Sequence, residues 1–170
     1  GGRVRVVSED EEQGRKETMK IAVLAVGKPK DRRIASLIEE YLIRIQPRGL
    51  VSLECIPDGT GTSEVRVERE GQEILKRFRP RDRVILLRED GKESDSTEFA
   101  RMLAREMETA PGRIVLLIGG PWGVSKSIQQ RADDSLSLSR MTFTHEMCLL
   151  FLAEQLYRAF SILQGAGYHH

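Results

Sequence analysis

The chain has 170 residues, enough for one domain with a proper core, and its 39% hydrophobic and 31% charged residues exclude wholesale disorder. Twenty-seven basic residues against 26 acidic ones leave a formal charge of +1, so no strong field advertises a polyanionic partner, and an aromatic content of 5% argues against an extended stacking platform for single-stranded RNA. Cys55 and Cys148 are too few and too far apart for a metal cluster or a disulfide framework, and read as buried thiols in a reducing compartment. The longest apolar run, Cys148–Ala153, is far short of a membrane span.

Residues 1–18 mix Arg3, Arg5, Arg15 and Lys16 with Glu9, Asp10, Glu11, Glu12 and Glu17 and hold only three valines as apolar residues, so they read as a loose tail. Organellar leaders are poor in acidic residues and this tail is not, though a remnant of a longer leader fits a sequence that begins with Gly1 and not Met. The folded domain is expected over residues 19–170.

Lys20–Val26 is a short apolar run ending at Gly27, as a buried first strand should be. Ile34, Leu37, Ile38, Tyr41, Leu42 and Ile45 form a helical stripe that Pro47 and Gly49 stop. Leu50–Ile56 reads as a second strand and Pro57–Ser63 as a loop. Val67, Gly71, Ile74, Leu75 and Phe78 mark a second amphipathic helix ending before Pro80. Arg83–Leu87 is the third strand, Glu89-Asp90-Gly91-Lys92 turns the chain, and Asp95 with Glu98 can cap a helix carrying Phe99, Met102, Leu103 and Met107 inward. Pro111-Gly112 breaks that helix before a fourth strand, Arg113–Ile118. After Gly119-Gly120-Pro121-Trp122-Gly123 come a short helix near Lys126–Arg131, a fifth strand over Ser135–Leu138, and a last helix from about Glu146 to Gln164 that is apolar nearly all round at its start. Strands that alternate with helices and are apolar throughout predict a single α/β domain: a mostly parallel sheet covered by helices on both faces.

Ligands of an open parallel sheet bind beyond the carboxyl ends of its strands. Three such ends stand out: Leu87 with the Arg88–Lys92 turn, Ile118 with the glycine loop, and Leu138 with Ser139–Thr144. The glycine loop is neither a phosphate-binding loop nor a dinucleotide fingerprint, and on spacing alone a plain strand-to-helix turn is the stronger reading. Ser139-Arg140-Met141-Thr142 offers hydroxyls and backbone groups and no metal ligand. His145 reads by itself as a capping or structural histidine, and Glu154 with Arg158 as a local ion pair. Tyr168-His169-His170 gathers two of the three histidines; a tag remnant is one reading and a native terminus the preferred one.

Taken in order, several segments resemble the RlmH family, SPOUT-class enzymes that methylate N3 of a pseudouridine in large-subunit ribosomal RNA. They are Val26-Gly27-Lys28, Glu89-Asp90-Gly91-Lys92 with Ser96 to Ala100, Leu117-Ile118-Gly119-Gly120-Pro121, Leu136 to Phe143 with His145, Glu154 to Ala159, and Tyr168-His169. The resemblance implies a C-terminal trefoil knot, where strand order alone gives an unknotted doubly wound sheet. It implies S-adenosyl-L-methionine as cofactor, contacted by Leu87, Gly119, Leu138, Ser139, Arg140, Met141, Thr142 and Phe143. It also implies a homodimer built on the last helix, no metal, no membrane, and ribosomal RNA in the assembled ribosome as partner. Tyr168, His169 and His145 are the catalytic candidates, the first two for orienting the base. The expected place is the cytoplasm, with a plastid stroma or mitochondrial matrix as alternative.

Four positions depart from the family pattern: Leu149 where many members carry Arg, Trp122 where a small or acidic residue is usual, Thr144 where Pro is usual, and the terminal His170 where a basic residue is common. They keep two rivals open, a non-catalytic ribosome- or RNA-binding homologue and a SPOUT methyltransferase of another RNA. An unrelated nucleotide- or flavin-binding domain is weakest, lacking a phosphate-loop lysine and a ribose-binding acid.

Overall fold

A computed structural model describes residues 20–45 and 51–167. The tail, the Pro47 and Gly49 stop, and the Tyr168-His169-His170 terminus lie outside the described residues. In chain order the elements are β1 (Ile21–Val26), α1 (Arg32–Ile45), β2 (Val51–Ile56), α2 (Ser63–Arg77), β3 (Arg83–Leu87), α3 (Ser96–Thr109), β4 (Ile114–Ile118), α4 (Lys126–Arg131), β5 (Asp134–Leu136) and α5 (His145–Gly165).

All strand pairs are parallel, in the order β2-β1-β4-β3-β5. The period-2 alternation of a strand sorts its side chains onto two faces. Ile21, Val23 and Ala25 of β1, with Ile114, Leu116 and Ile118 of β4, pack under α1, α3 and α5. Ala22, Leu24, Val26, Val115 and Leu117 pack on the other face with Ile74 of α2 and Ile128 of α4. Both faces are therefore covered and every residue of β1 and β4 is buried, which is why those segments read as continuous apolar runs.

The helices begin where the sequence offers caps. Thr62, Asp95, Ser125 and Thr144 accept backbone N–H groups two or three residues inside α2, α3, α4 and α5. At the amino-terminal end of the sheet Arg113 makes a forked pair with buried Asp82, Nε to Oδ1 at 3.0 Å and Nη2 to Oδ2 at 2.7 Å, while Arg79 N–H donates to the same carboxylate at 2.8 Å. That network ties β3 to β4 at the end remote from the loops discussed below.

The edge strand β5 ends sooner than its apolar pattern predicts, at Leu136 instead of Leu138. Its register on β3 runs out there, Leu87 opposite Leu136. Ser137 turns to the Arg88–Lys92 segment: its N–H donates to Lys92 O at 2.9 Å and its hydroxyl to Glu89 O at 2.9 Å. The two chain passages touch so closely that a Cβ on Gly91 would lie 2.8 to 3.0 Å from the Leu136 backbone. Gly91→Ala is therefore expected to destabilise the fold by about 1–3 kcal/mol, since neither backbone can give way cheaply. Urea unfolding checks this, and a midpoint equal to that of the parent would show the crossing to be looser than described.

Candidate active site

The carboxyl ends of β3, β4 and β5 do converge. The turn after Leu87, the glycine loop after Ile118 and the segment 138–143 line one cavity of about 600 Å³, in the usual range for small-molecule sites. Leu87, Ile118 and Leu138 give it apolar walls; Arg88, Glu89 and Asp90 bring charge to one side, and Gly119, Gly120 and Gly123 bring bare backbone to the other.

Of the residues expected to contact a cofactor, Leu87, Gly119, Leu138, Ser139, Met141, Thr142 and Phe143 line this cavity. Arg140 is not among its lining residues; its guanidinium lies 3.5 Å from Glu93. Met141 is 74% exposed, so its thioether stands at the mouth. Ser139 is committed locally, its hydroxyl accepting Met141 N–H at 3.0 Å. Phe143 packs on Phe151 of α5, ring centroids 4.9 Å apart.

His145 also borders the cavity, and both of its ring nitrogens face backbone carbonyls: Nδ1 lies 3.3 Å from Gly119 O and Nε2 3.1 Å from Gly27 O. Its neighbour Glu146 accepts Lys30 N–H at 2.9 Å and Asp31 N–H at 3.1 Å. The first turn of α5 is thus tied to the loops after β1 and β4. Asp31 in turn starts α1: hydrogen bonds from the Arg33 side chain and backbone hold its carboxyl at about 2, so it stays ionised well into the acid range. Cys148 lines the cavity, and burial, helped by the charge of Glu89, raises its thiol above the usual range. The shift favours the neutral thiol, so Cys148 serves as an uncharged part of the cavity wall. Both cysteines are free and half-buried, more exposed than the sequence pattern suggests.

The glycine loop is a tight turn closed by Gly123 N–H donating to Gly120 O at 3.1 Å, with Pro121 in its second position. A support that the sequence reading missed stands behind it. Glu70 of α2 is only 4% exposed; its Oε2 accepts Gly59 N–H at 2.9 Å, and its Oε1 abuts Gly120 with no hydrogen-bond partner among the described residues. The signal was present in the sequence: Glu70 falls three after Val67 and four before Ile74, a charge set on the apolar stripe of its helix.

The departures from the family pattern separate cleanly. Leu149 is a core residue of α5 that does not line the cavity. Thr144 is the N-cap of α5, its hydroxyl accepting Met147 N–H at 3.4 Å. Trp122 sits on the cavity rim, 59% exposed. Arg158 pairs with Glu154 one turn before it. Among the described residues there is no cluster of His, Cys, Asp and Glu able to hold a metal, and no helix long and apolar enough to cross a membrane.

The family model described as "Predicted SPOUT methyltransferase" matches residues 19–169. The chain belongs to this family. Within it, the chain is 44% identical over 156 residues to the Ribosomal RNA large subunit methyltransferase H of Porphyromonas gingivalis, covering 89% of this chain and 99% of that one. The protein of the same name from Bacteroides thetaiotaomicron is 40% identical over the same shares. These relatives place the chain in the RlmH branch of the SPOUT methyltransferases. A crystal structure of a probable methyltransferase from Bordetella pertussis superposes with a TM-score of 0.50 at 13% identity, covering 86% of this chain and 98% of the other, which supports the fold.

His145 gives a test that separates scaffold from catalyst. His145→Ala removes the ring that lies between two backbone carbonyls and donates to at least one of them, and is expected to cost about 1–3 kcal/mol of stability. Thermal unfolding measures it; unchanged stability with lost methyl transfer would instead make His145 a proton acceptor.

Proposed function

We propose that this chain transfers a methyl group from S-adenosyl-L-methionine to N3 of a pseudouridine in large-subunit ribosomal RNA. The observation that carries the reading is the single cavity into which three strand-end loops converge, in a chain whose relatives at about 40% identity are named for ribosomal RNA methylation.

The cavity suits the cofactor. Its volume admits a nucleoside bearing an amino-acid arm, its apolar walls suit an adenine ring, and the backbone groups of the glycine loop and of residues 138–143 can meet polar edges without formal charge. When bound, the cofactor supplies a methyl group on a sulfonium, which is displaced in line. Positioning then furnishes much of the rate. Leu87, Gly119, Leu138, Ser139, Met141, Thr142 and Phe143 are assigned to holding it; Arg140, turned toward Glu93, is assigned to it through its backbone alone. His145 is assigned to fixing the first turn of α5 against Gly27 and Gly119, which shapes the cavity wall. The N3 proton of the base must leave, and we assign the orienting of that base to Tyr168 and His169, beyond the described residues.

We infer the trefoil knot as well. Its support is the path of residues 137–144, which leave the edge strand, hydrogen-bond to the Arg88–Lys92 turn and return to β1 and β4, where His145 meets Gly27 and Gly119. A homodimer is supported by the apolar surface left on α5, where Phe151 and the adjoining Phe143 remain exposed. The domain is taken as residues 19–170 with a preceding tail, and its place of action as the compartment that holds the ribosomes: cytoplasm, stroma or matrix. Leu149, the position that kept the non-catalytic alternative open, is a core residue that does not line the cavity.

Calorimetric titration with S-adenosyl-L-methionine tests the reading. Thr142→Phe, at an exposed lining position, suits the comparison, because a side chain at Gly119 would run into Val124, whose Cγ1 is 2.6 Å from the Cβ position. Saturable binding is expected, roughly tenfold weaker or worse in the variant, together with transfer of labelled methyl to large-subunit RNA. No binding, with ribosomes present or absent, would end the enzyme reading.

A further inference from the structure

Trp122 is unlike every other ring among the described residues. Tyr41 pairs with Tyr157 and Phe143 with Phe151, Arg131 lies over Phe78, and Phe99 and Phe160 are buried in the core. Trp122 has no ring or cation partner among the described residues and, unlike the buried Phe99 and Phe160, is 59% exposed, although indole is costly to leave in water. Its position is equally particular. It occupies the third place of the turn from Gly120 to Gly123, at the rim of the cavity that suits the methyl donor.

The turn is built to hold that ring still. Pro121 fixes the backbone just before it, the Gly123 to Gly120 hydrogen bond closes the turn, and Glu70 backs it from below. A ring presented on a stiff loop loses little entropy when something flat settles on it. The ring has no charge and few hydrogen-bonding atoms, so what it recognises is a planar face.

We propose that Trp122 is the surface on which the target nucleobase stacks once it has left its neighbours in the RNA, setting the ring plane against the donor cavity. This rests on the methyltransferase reading, which requires a heterocyclic nitrogen to reach that cavity. An enzyme acting on a base inside folded RNA must take it out of its stack, and an aromatic face at the site replaces the stacking lost. Base–aromatic stacking corresponds to about tenfold to hundredfold in affinity per base. Trp122 then determines how well the substrate is held and does not hold the donor.

Two measurements test this. With ribosomes as substrate, Trp122→Ala is expected to raise KM or lower kcat/KM by about tenfold to hundredfold, with donor affinity by calorimetry and melting temperature unchanged; Trp122→Tyr should recover most of the loss. An alanine variant as active as the parent overturns the proposal. So does a variant whose donor affinity falls by as much as its activity, since the indole would then be a wall of the donor site. The second measurement does not need turnover, so it separates this proposal from the function it rests on. Trp122 is the chain's one tryptophan, so its fluorescence reports this site alone. With S-adenosylhomocysteine present, pseudouridine 5′-monophosphate should quench it saturably and ribose 5-phosphate should not. Quenching no different from that of free N-acetyltryptophanamide, or a blue shift on raising protein concentration without nucleotide, overturns it; the latter would mean that a second copy covers the ring.

Discussion

The course of the chain after β5 is the constraint on which the carboxyl edge of the sheet depends. A three-residue edge strand supplies little pairing of its own, so residues 137–144 are placed by what they meet on the way back to the sheet centre. Three groups of hydrogen bonds do this in sequence: Ser137 to Lys92 and Glu89, Thr144 at the start of α5, and His145 with Glu146 to the loops after β1 and β4. The cavity is the space enclosed by this return path. Its shape is a consequence of tertiary contacts between segments more than 100 residues apart in some cases, such as His145 and Gly27, and no local sequence preference could create it.

That division explains what was legible in the sequence. β3 and α4 lie where their patterns put them, Arg83–Leu87 and Lys126–Arg131, because each is bounded by strong signals: Pro80 and the acidic turn for the strand, Ser125 and the step into β5 for the helix. Burial on both faces made the strands recognisable as a parallel sheet. The order β2-β1-β4-β3-β5 was not readable, because periodicity records burial and not neighbours. For β5 the apolar alternation continues to Leu138, but hydrogen bonding passes from β3 to the Arg88–Lys92 turn at Ser137, so the strand ends while the pattern does not. The three loops could be gathered into one crevice from a general rule about parallel sheets, whereas Arg140 could not be excluded from it, since a pattern does not say which way a loop side chain turns.

Electrostatics also acquires a different meaning once the fold is known. A net charge of +1 gave no encouragement to an RNA partner. Yet many charges are spent in pairs: Arg33 with Asp31, Arg77 with Glu73 and Glu54, Arg83 with Glu106, Arg158 with Glu154. Pairs on the surface add little stability and cancel each other's field. An enzyme that acts on one base of a long ribosomal RNA gains more from contacts at the reacting group than from long-range attraction, which would hold it on any RNA.

Glu70 shows how the site is kept stiff at a local cost. A buried carboxylate with one oxygen lacking a hydrogen bond is unfavourable, and the helix stripe would pack better with an aliphatic residue there. The other oxygen, however, ties Gly59 of the loop after β2, and the unpaired one stands 2.9 Å from where a Cβ on Gly120 would be. One side chain from α2 therefore lies between two loops that no backbone hydrogen bond joins among the described residues, and occupies the space that a side chain at Gly120 would need. An aliphatic residue could occupy the volume but could not accept the Gly59 N–H. The turn that carries Trp122 is closed by its own Gly123 to Gly120 hydrogen bond, and behind it a polar group was kept where apolar packing would have been the more stable choice, the kind of local conflict expected at functional sites.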